Sequence, residues 1–177
     1  TLTFTDVSSL AGLGYPVLEL STTISVDGST CPGEPARTLP AAGTVRYCYA
    51  VTNHGGAPAY DVSLVDDNGT PGDSGDDVGI GLVGLTNEDI DASDDDLAGG
   101  STASLAMWDV AVGGGTRTNT ATVTVTNPAI DPVQASATLV VQDGVVFTKT
   151  VSAAGGTCPG AASLSVPAVA LTETVTF

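Results

Sequence analysis

The chain has 177 residues, enough to bury one good core and to begin another. Its 20 acidic residues stand against only 4 Lys and Arg, a formal charge of −16. Phosphate backbones and anionic lipid are repelled by such a chain, so nucleic acid and membrane surfaces are excluded as partners and cations are favoured. No apolar stretch approaches the roughly 20 residues that a membrane-spanning helix needs.

Val, Ala, Thr and Gly dominate, with frequent Pro and no long helix-forming run. β-Branched residues suit pleated surfaces and Gly/Pro punctuation suits short strands, so the chain is all-β. Thr1–Val7 alternates Leu2 and Phe4 with polar residues and reads as a strand, followed by a bend at Gly12 and Gly14. Val17–Val26 is the next strand, and Asp27–Pro40 a loop carrying Cys31. Thr44–Thr52 is the clearest strand, with Val45, Tyr47, Tyr49 and Val51 on one face and Arg46 and Cys48 on the other. After a turn at Asn53–Gly56, Tyr60–Val65 runs back with Tyr60, Val62 and Leu64 on one face.

From Asp66 to Gly100 the chain reads mostly as loop, with a short strand at Val78–Leu85, and eleven of the twenty acids fall in this stretch. Thr102–Val110, Thr118–Thr126 and Val133–Val141 are three further strands. Trp108 on the first of them joins the tyrosines as a large core side chain. Gly144–Ser152 and Leu171–Phe177 are the last two. About seven strands without a helix argue an immunoglobulin-like antiparallel β-sandwich with extra terminal strands; a jelly roll or small barrel stays open.

The chain also begins to repeat itself. Leu20-Ser-Thr-Thr-Ile-Ser-Val-Asp-Gly-Ser-Thr-Cys-Pro-Gly33 returns as Phe147-Thr-Lys-Thr-Val-Ser-Ala-Ala-Gly-Gly-Thr-Cys-Pro-Gly160, 127 positions on. With a gap of one residue, Tyr47 and Tyr49 then correspond to Val175 and Phe177. A period this long indicates whole domains in an array rather than a solenoid. The expected organisation is an N-terminal strand segment over 1–16 that pairs in trans, a complete sandwich over 17–142, and the opening strands of an incomplete second repeat over 143–177.

The stretch Thr44–Asp77 (TVRYCYAVTNHGGAPAYDVSLVDDNGTPGDSGDD), with Asn119–Asn127 (NTATVTVTN) further on, resembles the bacterial and archaeal surface repeat known as domain of unknown function eleven. The similarity covers roughly Leu18–Val141. It implies tandem immunoglobulin-like modules in large exported proteins, and it implies no catalytic residues.

Cys31 and Cys48 lie 17 residues apart in the complete unit and suit a loop-to-strand disulfide in an oxidising compartment; two buried thiols are the alternative. Such a bond stabilises by roughly 3 kcal/mol. Cys158 is the copy of Cys31, and Thr176 stands where its partner is expected. The lone histidine, His54, sits in a turn with no nucleophile nominated beside it, so neither a zinc site nor general-base catalysis is expected, and the chain is read as no enzyme.

Asp66, Asp67, Asn68, Asp73, Asp76 and Asp77 place oxygens at turn-separated intervals, a donor set that suits Ca²⁺, although the spacing is not that of an EF-hand. The loop around Glu88–Asp96 is likewise expected to bind Ca²⁺ weakly or to concentrate cations, and a plain solvated acidic loop is the competing reading. Asn68-Gly69-Thr70 is an N-glycosylation sequon. The function expected is a secreted structural subunit of the extracellular space or cell surface. It assembles head-to-tail with copies of itself through Leu2, Phe4, Val146, Val151, Val175 and Phe177 into a filament or surface layer. The alternative is a module of a tandem-repeat adhesin or stalk that depends on calcium.

Overall fold

The computed structural model describes residue 12 and residues 14–26, 30–89, 91–142, 152–153 and 175–176, with backbone only at 106–109, 152–153 and 175–176. Thr1–Val7, Leu2, Phe4, Val146, Val151, Cys158 and Phe177 therefore lie outside the described residues, as does the side chain of Trp108. The chain divides into a unit of Thr1–Asp143 and a unit of Gly144–Phe177.

The first unit is an immunoglobulin-like β-sandwich. One sheet holds β1 (Leu18–Val26), β3 (Gly43–Asn53) and β6 (Thr102–Val112) in the order β1-β3-β6, all antiparallel. The other holds β2 (Ala36–Leu39), β4 (Ser63–Asp66), β5 (Val78–Ile80), β7 (Gly115–Thr124) and β8 (Val133–Val141) in the order β2-β8-β7-β4-β5. The β2–β8 pair is parallel and the other pairs of this sheet are antiparallel. β1 faces β8 and β7 across the core.

Alternation sets this arrangement. Val45, Tyr47, Tyr49 and Val51 point inward from β3, and Asn119, Ala121 and Val123 do the same from β7. The opposite faces of β7 and β8 carry hydroxyls that bond across strands: Thr118 with Thr138, Thr120 with Ser136, and Gln134 to Thr122. Burial of the inward set drives the sandwich, and the polar outer ladder lets it face water.

The boundaries depart from the sequence reading most at three places. The loop over 27–40 contains β2, an edge strand whose four residues are drafted by the exposed side of β8. The strand expected at Tyr60–Val65 starts at Ser63, with Ala59 and Tyr60 making only isolated bridges to Leu97 and Asn127. The strand at Val78–Leu85 closes at Ile80 because Gly81 follows, and Val83 bridges to Ser104 of the other sheet instead.

Cys31 and Cys48 form a disulfide with a Cα–Cα separation of 5.7 Å. It ties the loop after β1 to β3 beside a register shift of the β3–β6 ladder between Tyr47 and Tyr49.

In the second unit, β9 (Ser152–Ala153) pairs antiparallel with β10 (Val175–Thr176). Thr176 lies opposite Ser152 and Val175 opposite Ala153. In the first unit Arg46 lies opposite Ser25 and Val45 opposite Val26. Ser152 and Ala153 are the copies of Ser25 and Val26, so the ladder makes Thr176 the counterpart of Arg46. The expectation that Thr176 replaces Cys48 is corrected: by the register of the ladder Thr176 stands at the place of Arg46, two positions earlier.

Candidate functional site

The acids from Asp61 to Asp96 lie just before β4, at its end, and in the loops that connect β4, β5 and β6, and two of them are wholly buried. Asp66, the last residue of β4, is 0 % exposed. It continues the inward phase of Val62 and Leu64, which carries its carboxylate into the core rather than into the loop. Tyr49 Oη donates to Oδ2 at 2.8 Å, Asn119 Nδ2 donates to the same oxygen, and the Asn68 N–H donates to Oδ1 at 2.9 Å. Burial pushes the Asp66 carboxyl above the usual range, opposed by those three donors. Burial and the neighbouring Asp66 likewise push the Tyr49 phenol far up, so it stays a donor.

Asp66 thus serves as the anchor of the turn that follows it. Asp67 accepts from the Gly69 and Thr120 N–H groups through Oδ1, both at 2.8 Å. Asn68 and Gly69 adopt positive φ, 49° and 68°, the left-handed pair that Asn-Gly turns supply. The Asn68 amide is held on both sides: Oδ1 accepts from Arg117 Nη2 at 2.8 Å, and Nδ2 donates to Asp76 Oδ2 at 3.2 Å. Asp76 also accepts from Thr70 Oγ1 at 2.7 Å, Asp73 accepts from the Gly75 N–H at 3.0 Å, and Asp73 and Asp77 are exposed. Most of the oxygens proposed from sequence are thus engaged in forming the turn.

A second loop gathers carboxylates in a different way. Asp96 is 0 % exposed and accepts main-chain N–H groups from three directions. Asp61 donates to Oδ1 at 3.2 Å, while Glu88 and Asp89 donate to Oδ2 at 2.5 and 3.1 Å. Asp61, at φ 54°, and Asp89 are thereby fixed on one buried group. Asp91 joins them through its N–H to Asp89 Oδ1 at 3.1 Å. Among the described residues, Asp61, Asp89 and Asp91 are the group of three whose carboxylate oxygens all lie within 4.8 Å of one another. Asp61 and Asp89 are half-buried and Asp91 is exposed.

The charges of this cluster act on one another. The bond from the Asp91 N–H lowers the Asp89 carboxyl, but partial desolvation and the charges of Asp91, Asp96 and Asp61 together leave it above the usual range. Asp95 beside it is raised by desolvation first and by Asp91, Asp61 and Asp96 next. Its Oδ1 has no hydrogen-bond partner. Three carboxylates this close attract a hard cation, which takes oxygen donors and offsets their repulsion. Sequence reasoning expected the Glu88–Asp96 loop to concentrate cations but named neither Asp89 nor Asp91 as a ligand. Asp61 lies outside the acidic stretch, and only the long-range bridge through Asp96 reveals it.

Two other features complete the surface. His54 Nε2 lies 2.6 Å from Glu19 Oε2, a partner on β1. A groove of about 350 Å³ opens on the outer face of the three-stranded sheet, lined by Ser21, Thr23, Ala50, Ser104 and the disulfide.

No protein-family model matches the chain, and no curated protein matches it. Among solved structures it is similar to the CARDB domain of the PF1109 protein from Pyrococcus furiosus, a structure described as a complex with di-metal ions. The identity is 15%, the TM-score 0.43, and the match covers 79% of this chain and 99% of that one. Among the described residues, no helix is long and apolar enough to cross a membrane.

Proposed function

We propose that the chain is a structural subunit of the extracellular space or cell surface, built to join copies of itself head-to-tail by β-strand pairing. The observation that carries this reading is the second unit. Among its described residues the ladder is the two-stranded β9–β10, the counterpart of only part of a sheet. A two-stranded ribbon on its own has marginal stability in water, so strands added from a neighbour would stabilise it. A contact between unlike ends of identical subunits does not close on itself and gives a filament. The disulfide supports export, since such bonds persist in oxidising compartments.

The experiment is light scattering and negative-stain microscopy of the full chain over a range of concentrations. Concentration-dependent filaments are expected, reduced by Val175→Asp and Phe177→Asp while the Cys31–Cys48 bond stays intact. A full chain that is monomeric at every concentration overturns head-to-tail assembly.

A second reading, a calcium-dependent surface module, is favoured by the Asp61, Asp89 and Asp91 cluster. Titration calorimetry with CaCl₂ at low ionic strength tests it: heat of binding that disappears in Asp89→Asn and Asp91→Asn supports it, and equal heat in those variants removes it.

A further inference from the structure

The turn after β4 holds a residue pair with chemistry of its own. Of Asn53, Asn68, Asn87, Asn119 and Asn127, Asn68 is the one followed by glycine. An Asn-Gly pair is prone to lose its side-chain amide, because glycine puts no Cβ in the way of ring closure. The Gly69 main-chain nitrogen gives up its proton and attacks Asn68 Cγ, forming a C–N bond and a cyclic imide. The bond from Cγ to Nδ2 breaks, and ammonia leaves with the amide hydrogens and the proton from Gly69. Water then adds to either imide carbonyl and opens the ring to aspartate or isoaspartate. Nothing is oxidised or reduced.

The fold restrains both reacting groups. The Gly69 N–H donates to Asp67 Oδ1 at 2.8 Å, and the Thr120 N–H of β7 pins the same oxygen at 2.8 Å. At the other end of the reaction, Asn68 Oδ1 accepts from Arg117 Nη2 at 2.8 Å and Nδ2 donates to Asp76 Oδ2 at 3.2 Å. The Asn68 N–H is tied to buried Asp66 at 2.9 Å. Arg117 also packs on Gly69: a Cβ there would meet Nε at 2.1 Å and the Arg117 Cγ at 2.7 Å. To close the imide, the Asn68 side chain must turn over the Gly69 nitrogen and the peptide between them must rotate. The first movement breaks the bonds to Arg117 and Asp76, and the second breaks the bond to Asp67. Each of these bonds has a charged partner and is of the stronger kind, so ring closure waits on local opening of the turn.

We infer that Asn68 is a masked deamidation site, kept as an amide by the clamp of Arg117 and Asp76 and by the hold of Asp67 on Gly69, and hydrolysed to aspartate or isoaspartate when the turn opens. The conversion runs one way. In the product an oxygen replaces Nδ2, so an acceptor faces Asp76 where a donor stood, and that bond cannot re-form. Isoaspartate also adds a carbon to the main chain of a turn whose φ angles of 49° and 68° suit Asn-Gly. The site therefore records the time the turn has spent open. This inference stands on the first unit and is independent of head-to-tail pairing and of calcium.

The test incubates the full chain at mildly alkaline pH, folded and in denaturant, and follows amide-to-acid conversion at Asn68 by mass spectrometry of its peptide. Circular dichroism gives the unfolded fraction of each sample. The folded chain is expected to convert at least about tenfold more slowly than the denatured one, the rate equivalent of one hydrogen bond to a charged group. Arg117→Met keeps an apolar stem over Gly69 and removes the donor, while Asp76→Ala removes the acceptor in the loop. Both should regain much of that factor while folded, beyond what their unfolded fractions account for. A folded parent that converts as fast as the denatured chain overturns the inference. So do folded variants that convert no faster than the parent, or only as fast as their unfolded fractions dictate. Should Arg117→Met fail to fold, Asp76→Ala decides by the same comparison.

Discussion

Asp66 and Asp96 are both wholly buried carboxylates at the edge of one sandwich, yet they are held by different chemistry. Asp66 takes two side-chain donors from the core, Tyr49 and Asn119, and one main-chain N–H. Asp96 takes main-chain N–H groups from Asp61, Glu88 and Asp89. The first fastens a turn to the sheets. The second fastens two loops to each other and, in doing so, brings three further carboxylates together. An acidic loop can therefore be a folding device at one end and a gathering point of carboxylates at the other, and the number of acids does not distinguish them.

The largest effect is expected from Asp66→Ala. It leaves Tyr49 Oη and Asn119 Nδ2 as buried donors without an acceptor, at about 1–3 kcal/mol each, a loss of about 2–6 kcal/mol in denaturant unfolding. Asp66→Asn keeps one acceptor oxygen and should lose less. Asp96→Ala frees main-chain groups at a loop surface where water can take over, so about 1–3 kcal/mol is expected. If Asp96→Ala proves as costly as Asp66→Ala, the distinction between core anchor and loop clasp fails.

The acidic loops also set a pH dependence. The carboxyls of Asp66, Asp89 and Asp95 are all raised, so the folded chain holds protons more tightly than the unfolded one. Their stabilising contribution is complete below the unfolded carboxylate range and is lost as pH rises through the raised values. In a chelator, the unfolding midpoint should rise as pH falls from 7 toward 5. Asp66→Asn should weaken this rise. With calcium in excess the direction should reverse, since protons then compete with the cation for Asp89. Midpoints that do not move with pH in chelator would show that the buried carboxylates are balanced by donors in full.

Much of the sandwich was legible in the sequence because its strands alternate strictly. Val45 to Val51 and Asn119 to Val123 give a period of two that only a half-buried strand explains. The disulfide followed from the placement of Cys31 and Cys48 in one unit. β2 was not legible, since Ala36–Leu39 has no pattern of its own and is recruited by β8. The role of Asp66 was half written: it stands in phase with Val62 and Leu64, but the Asp-Asn-Gly context drew it into the loop. Asp61 could not be placed, because its position depends on a bond to Asp96, 35 residues away. Side-chain phase travels along a strand, whereas loop geometry is set by contacts that sequence spacing does not carry.

The smallest effect sharpens the same comparison from outside the core. Glu19 holds His54 at 2.6 Å, closer than most contacts in either acidic loop, yet its side chain is 67 % exposed and that of His54 is 23 % exposed. Water already solvates the Glu19 carboxylate, and holding two side chains in one geometry costs entropy. An exposed pair of this kind contributes about 0–1 kcal/mol. Glu19→Gln keeps an oxygen that can accept from the ring and removes only the charge. Its unfolding free energy should stay within about 1 kcal/mol of the parent and respond little to added salt. Chemical denaturation at pH 6 and 7, with and without added salt, measures it. A loss as large as that of Asp66→Ala would mean that proximity, and not burial, decides what a carboxylate contributes in this fold.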